Sequence, residues 1–201
     1  STLHQYNGTD WSRNILWAKD RYFLVIDELM AVKKGDYLLQ AWWKPGGAGP
    51  LEGRQMRGGG KIGLQWTNLD QSVLTEKDSL HNQRQLLGTY TTTMDPGESR
   101  YFTNLLQVTA EPHDQAVQPR LLAGNAVTLR RPDGKIEVLG IRPLSHGNQI
   151  EVEAQLYMLQ ADHFSLVQGR NLICGNRLFS SDKDVTVDCD LARGHALLVL
   201  H

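Results

Sequence analysis

The sequence predicts an all-β domain, an antiparallel β-sandwich with two or more packed sheets and little helix. Three observations predict it. Short apolar or alternating runs rich in Val, Ile, Leu, Tyr and Phe recur along the chain, separated by Gly, Pro, Asn and Asp, the punctuation of antiparallel sheet. Apolar residues at helical spacing are nearly absent. The runs are also too numerous for one open sheet, so at least two sheets must pack face to face.

In chain order the runs cover residues 14–18, 22–29, 37–43, 61–66, 86–93, 101–108, 126–130, 135–141, 150–159, 164–167, 171–174, 185–191 and 196–200. Two connections read as hairpins. Lys19-Asp20-Arg21 joins the first two runs, and Pro132-Asp133-Gly134 joins the strand around Thr128 to the one around Glu137, with Asp-Gly supplying the positive φ of a tight turn. Residues 149–155 alternate polar with apolar, as a strand with one wet face does. Residues 45–60 hold seven glycines and read as one long surface loop.

The 201 residues, 40% of them hydrophobic, suffice for one substantial core, so a single domain spanning 1–201 is expected. Lys and Arg total 21 against 22 Asp and Glu, a formal charge of -1 that gives no global field for nucleic acid or an anionic membrane. No apolar run of membrane-spanning length and no secretory leader pattern occurs. The chain starts at Ser1 rather than Met, with strand-like patterning close behind, from which we expect the C-terminal part of a longer protein.

The chemical motifs are sparse. Gly58-Gly59-Gly60-Lys61 lacks the Ser or Thr after the lysine, and the helix, that a phosphate loop needs. The stretch does carry Arg54, Arg57 and Lys61, which read either as a local basic patch or, more simply, as the solvated charges of a flexible surface loop. Asp182, Asp184, Asp188 and Asp190 lack the glycine and closing Glu of a calcium loop and read as a wet strand face. Cys174 and Cys189 read as small buried thiols or as a disulfide between neighbouring strands. Asn7-Gly8-Thr9 fits a glycosylation sequon. No nucleophile elbow, Cys/His pairing or compact metal motif appears, so no catalytic residue is assigned.

All five tryptophans lie in the first third of the chain. Trp42 and Trp43 are adjacent in one strand and must point to opposite faces, so both are buried only if both faces are covered. An exposed indole on a sheet is a platform for the apolar face of a sugar ring; the alternative is covering by another layer or a partner domain. Trp42, Trp43 and Trp66, with Arg54 and Arg57, are the candidate carbohydrate-binding residues.

Trp11-Ser-Arg13-Asn-Ile-Leu-Trp17, Lys19-Asp-Arg-Tyr22-Phe-Leu-Val-Ile-Asp27 and Gly35-Asp-Tyr37 resemble the opening of the C-terminal β-sandwich domain of heparinase II/III-like polysaccharide lyases. Gly97-Glu98-Ser-Arg-Tyr101-Phe-Thr-Asn-Leu-Leu106 resembles its mid-region strand, and the stretch from Asp162 through Gly194-His-Ala-Leu-Leu its closing strands. The resemblance implies a carbohydrate-associated module that packs behind an α/α-toroid, in enzymes cleaving uronic-acid polysaccharides by β-elimination. It implies that the chain alone is inactive, because the base and the carboxylate-neutralising groups come from the helical domain. It implies an acidic polysaccharide and the toroid as partners, and a periplasmic or secreted location. The residues themselves call for no cofactor; in some members of that family the sandwich holds a structural zinc, and the positions that the resemblance offers for one are Asp27, His4 and His81. Read from the residues, Asp27 follows four apolar residues and needs a partner, which an arginine such as Arg13 or a backbone amide would also provide. A self-standing carbohydrate-binding module and a small β-sandwich lyase are the alternatives.

Overall fold

The computed structural model describes residues 1–44, 49–58, 63–78, 84–109, 117–147, 150–174 and 177–200. Every regular element among them is a β-strand, and all pairings are antiparallel, as the sequence predicts. No helix is long and apolar enough to cross a membrane. The chain divides into two compact units, Ser1–Ala116 and Val117–His201.

The first unit holds β1 (Thr2–Tyr6), β2 (Thr9–Ala18), β3 (Tyr22–Ala31), β4 (Gly35–Trp43), β5 (Gln55–Arg57), β6 (Gly63–Asn68), β7 (Val73–Asp78), β8 (Arg84–Met94) and β9 (Ser99–Thr109). They form a six-stranded sheet in the order β1-β2-β3-β9-β6-β5 and a three-stranded sheet in the order β4-β8-β7. Directly paired residues share a face, so one face of the larger sheet carries Leu29, Ala31, Phe102, Leu106, Trp66 and Met56. These pack against Leu39, Ala41, Leu74, Leu86, Tyr90 and Met94 of the smaller sheet, a two-layer sandwich core. On the opposite face of the larger sheet Leu16, Tyr22, Leu24, Ile26 and Leu105 are also buried. That double burial is why the run through β3 is continuously apolar instead of alternating.

The second unit holds β10 (Gln118–Ala123), β11 (Ala126–Arg130), β12 (Ile136–Ile141), β13 (Leu144–His146), β14 (Ile150–Glu153), β15 (Leu156–Leu159), β16 (His163–Cys174), β17 (Arg177–Asp190) and β18 (His195–Leu200). β16 organises them. Its first half pairs with β15 and its second half with β14 along one edge, while β17 follows the other edge throughout. The switch of partner occurs at a bulge where Gln168 takes φ 49° and the register shifts on both sides of Gly169. The bend lets Val138, Tyr157, Leu159 and Phe164 share one core with Leu144, Val152, Ala154 and Leu172.

Both expected hairpins form, with Asp20 and Gly134 at positive φ and Arg21 N–H and Gly134 N–H donating back to Ala18 and Arg131. Several sequence expectations are corrected. The run 150–159 is two strands, because Gln155 turns out of the ladder to donate to Val167 O (3.0 Å). The runs 164–167 and 171–174 are one bent strand. The expected loop 45–60 contributes β5, which finds a ladder partner in β6; its residues 45–48 and 59–60 lie outside the described residues. Strands β1, β7, β10 and β13 were not expected at all.

Gly140 is a point where the second unit admits no side chain. Its register partner Tyr157 lays its ring over the glycine, and a Cβ there would also sit 2.7 Å from the Asn125 carbonyl oxygen. Gly140→Ala is therefore expected to destabilise by at least about 1–3 kcal/mol, the usual range for overpacking, since neither a backbone carbonyl nor a buried ring yields readily. Chemical denaturation measures it.

Candidate functional site

The outer face of the three-stranded sheet combines an aromatic ring, a cation and a row of polar side chains. In β4, Leu38, Gln40 and Trp42 point outward while Leu39, Ala41 and Trp43 point into the sandwich, the alternation a strand imposes. Register extends the outer set to Thr89, Thr91 and Thr93 on β8 and to Val73, Thr75 and Lys77 on β7. Trp42 is 45% exposed, and the Lys77 ammonium stands over its ring, 5.5 Å from the centroid. A cation so placed is held by the ring's negative face, worth about 0.5–1 kcal/mol at an exposed site.

The remaining predicted carbohydrate residues lie elsewhere. Trp43 and Trp66 meet in the interior at 6.2 Å between ring centroids. Arg57 is exposed on β5 at the edge of the larger sheet. Arg54 is committed to a polar seam inside the unit: its guanidinium donates to Asn68 Oδ1 (3.0 Å from Nε) and to Ser72 O (2.8 Å), with Asp70 at 3.8 Å. At the centre of this seam the buried Asp70 carboxylate accepts from Asn68 Nδ2 (2.7 Å), Thr103 N (2.7 Å), Ser72 N (2.8 Å) and Tyr90 OH (3.1 Å). Burial, together with the charge of Asp70, pushes the Tyr90 hydroxyl far above its ordinary pKa, so it is a donor and not a base.

Asp27 is 1% exposed and takes both of its bonds from Arg13, Nε to Oδ1 and Nη2 to Oδ2, each at 2.7 Å. This bond holds the guanidinium pKa above its ordinary value, and the same group stands over the rings of Trp11 and Trp43. His4 is turned to Asp10 at 3.5 Å. His81 lies outside the described residues. Among the described residues Asp27 is held by Arg13 and His4 by Asp10, and no group of three or more His, Cys, Asp or Glu gathers. In the second unit Asp184 pairs with Arg170 (2.6 Å) and Asp188 with His163 (2.6 Å). Cys174 and Cys189 are both free; Cys174 is opposite Arg177 and Cys189 opposite Phe164, so the two are not cross-strand partners.

Three features escaped the sequence reading. Lys77 was hidden because β7 reads as a charged segment. Asp70 was hidden because its partners are distant in sequence. The third is an exposed stack on the larger sheet, Trp17 on Phe23 with ring centroids 5.7 Å apart and planes within 7°. Ile15 is exposed on the same face. A scan against protein-family models and a search of curated proteins find no match for this chain.

Two predictions follow from this geometry. Trp43→Ala should cost about 3 kcal/mol, since it empties a place beside Trp66 and beneath Arg13, whereas Trp42→Ala should cost no more than about 1 kcal/mol; denaturation curves of the two variants measure the asymmetry. Tyr90 makes stability depend on pH. Its folded pKa lies above the ordinary 10.0, so its contribution is complete below pH 10.0 and is lost as pH rises beyond it. Tyr90→Phe should be about 1–2 kcal/mol less stable at neutral pH and should show a shallower alkaline decline than wild type, read from denaturation midpoints on both sides of that value.

Proposed function

We propose that this chain is a carbohydrate-associated β-sandwich domain of a heparinase II/III-like polysaccharide lyase. It scaffolds a helical toroid, has no catalytic machinery of its own, and contacts acidic glycan through Trp42 and Lys77. The observation that carries the glycan reading is the exposed indole with an ammonium over its face. A sugar ring stacks its C–H face on such an indole only if the ammonium moves aside. A uronate carboxylate draws Lys77 off the ring into an ion pair, so stacking and charge pairing form together, whereas a neutral sugar displaces the cation without compensation. Gln40, Thr75 and Thr89 on the same face supply hydrogen-bonding groups at the rim.

The scaffolding half rests on a different surface. Trp17 is 58% exposed and Phe23 37%, and with Ile15 they present contiguous apolar area of a kind that marks interaction faces.

Isothermal titration with uronate and neutral oligosaccharides of equal length tests the proposal. Wild type should prefer the uronate, Trp42→Ala should lose about tenfold or more in affinity, and Lys77→Gln should lose the preference while keeping weak stacking. Absence of uronate binding by wild type removes the glycan reading. Growth of the conjugated-enoate absorbance near about 232 nm on a uronate polymer, surviving repurification, removes the inactive-alone reading.

A further inference from the structure

The turn that joins β1 to β2 carries the chain's single Asn-Gly pair. Asn7 and Gly8 are its two central residues, at φ 50° and 83°, the two positive values characteristic of a type I′ hairpin turn. Asn7 is exposed, and among the described residues neither its carbonyl oxygen nor the Gly8 N–H has a hydrogen-bond partner. The peptide plane between the two residues is thus untethered, while the next one is anchored: Gly8 O accepts from Val32 N–H (2.9 Å) and stands 3.1 Å from the Tyr37 hydroxyl. Rotating the untethered plane converts the type I′ turn into type II′, the other turn that suits a two-residue hairpin, so the strands stay paired. It carries ψ of Asn7 from about 30° to about −120° and leaves Gly8 at a negative φ that glycine accepts.

We propose that Asn7 is a deamidation site built into this turn, where the Gly8 nitrogen closes on the Asn7 side-chain amide and water opens the resulting ring to an aspartyl or a β-aspartyl linkage. Ring closure brings the Gly8 nitrogen into eclipse with the Asn7 Cβ, which for an L residue is a ψ near about −120°, the type II′ value. Glycine at the attacking position adds no side chain to obstruct it. Hydroxide removes the Gly8 N–H proton, the N–Cγ bond forms, and the Cγ–Nδ2 bond breaks, with Nδ2 taking a proton from water and leaving as ammonia. Water then attacks one of the two ring carbonyls. Attack at Cγ cuts the new bond and gives aspartate; attack at the Asn7 main-chain carbonyl cuts the original peptide bond and routes the backbone through Cβ and Cγ. The chain's one Asp-Gly turn has the opposite arrangement. There the Gly134 N–H donates to Arg131 O (2.9 Å), and Asp133 is held by Lys135 N–H (3.1 Å) and the Arg131 guanidinium (3.1 Å). The β-aspartyl product lengthens the Asn7-Gly8 turn by one backbone carbon. That displaces Gly8 O from Val32, in the connection between the six-stranded and three-stranded sheets, and from Tyr37 near the start of β4. The site is independent of the glycan reading.

Peptide mapping by mass spectrometry, after incubation of the folded chain at mildly alkaline pH, tests it beside the urea-unfolded chain treated alike. Asn7 should lose its amide ahead of every other asparagine, at a rate within about tenfold of the unfolded chain, because both turn forms keep the hairpin closed and no opening of the sheet is required. Hydrogen exchange then reads the consequence. In the β-aspartyl form the Val32 amide should exchange at least about tenfold faster than in the parent chain, the loss expected when its hydrogen bond to Gly8 O goes. Asn7→Asp, which brings the charge without the extra carbon, should keep Val32 protected. A folded chain whose Asn7 is intact when that of the unfolded chain has converted overturns the proposal, as does earlier conversion of any other asparagine. Unchanged Val32 protection in the β-aspartyl chain, or its loss in Asn7→Asp, overturns the part assigned to the lengthened turn.

Discussion

The first unit depends on one carboxylate. At Asn68 the strand β6 leaves the six-stranded sheet and the chain crosses to the three-stranded sheet, which opens a gap beside β9 where a ladder partner should be. Asp70 fills it. Its carboxylate takes the Thr103 N–H that β6 no longer reaches, while Leu69 N–H donates to Thr103 O (2.8 Å). The same carboxylate closes the turn through Ser72 N–H and holds Tyr90 of the facing sheet. A buried carboxylate without such donors would cost several kcal/mol, so the crossing, the turn and the Tyr90 contact stand or fall together.

This constraint reaches the candidate site through strand parity. Tyr90 must point inward to meet Asp70, so its β8 neighbours Leu86 and Gly88 point inward too. Gly88 has no room for a side chain of its own without crowding Ser72 Oγ (3.1 Å from a Cβ placed there) and the Phe102 ring. Register with β8 then turns Trp43 inward and Trp42 outward, and places Lys77 on the outer face of β7. A slip of one residue would exchange the two tryptophans and bury the lysine. The exposed indole with its cation is thus a remote consequence of a buried aspartate.

Much of this was legible locally. The opposite faces of Trp42 and Trp43 follow from adjacency, and the need of Asp27 for a partner follows from the four apolar residues before it. The change of parity inside 150–159 is also written in the residues, since the buried positions pass from Val152 and Ala154 to Tyr157 and Leu159, which signals a break. Asn7-Gly8, read as part of a sequon, carries a stronger signal: both residues take positive φ in the two-residue turn that joins β1 to β2. Asp70 carries almost none. Asn68-Leu-Asp70-Gln-Ser72 announces a turn, but Thr103 and Tyr90 are tied to it only by tertiary structure, and no periodicity reports a contact of that range.

The edges of the three sheets show how unevenly pairing with other chains is discouraged. β1 is broken by an irregularity between Leu3 and Tyr6 with Gln5 at φ 53°. β5 and β13 are three residues long, β5 ending in an exposed Arg57. β7 carries Glu76 and Lys77, β4 carries Asp36, and β10 carries Pro119 and Arg120. Each is a recognised way of making an edge a poor template. β18 alone among these edges has no such device, although its neighbour β17 is studded with aspartates.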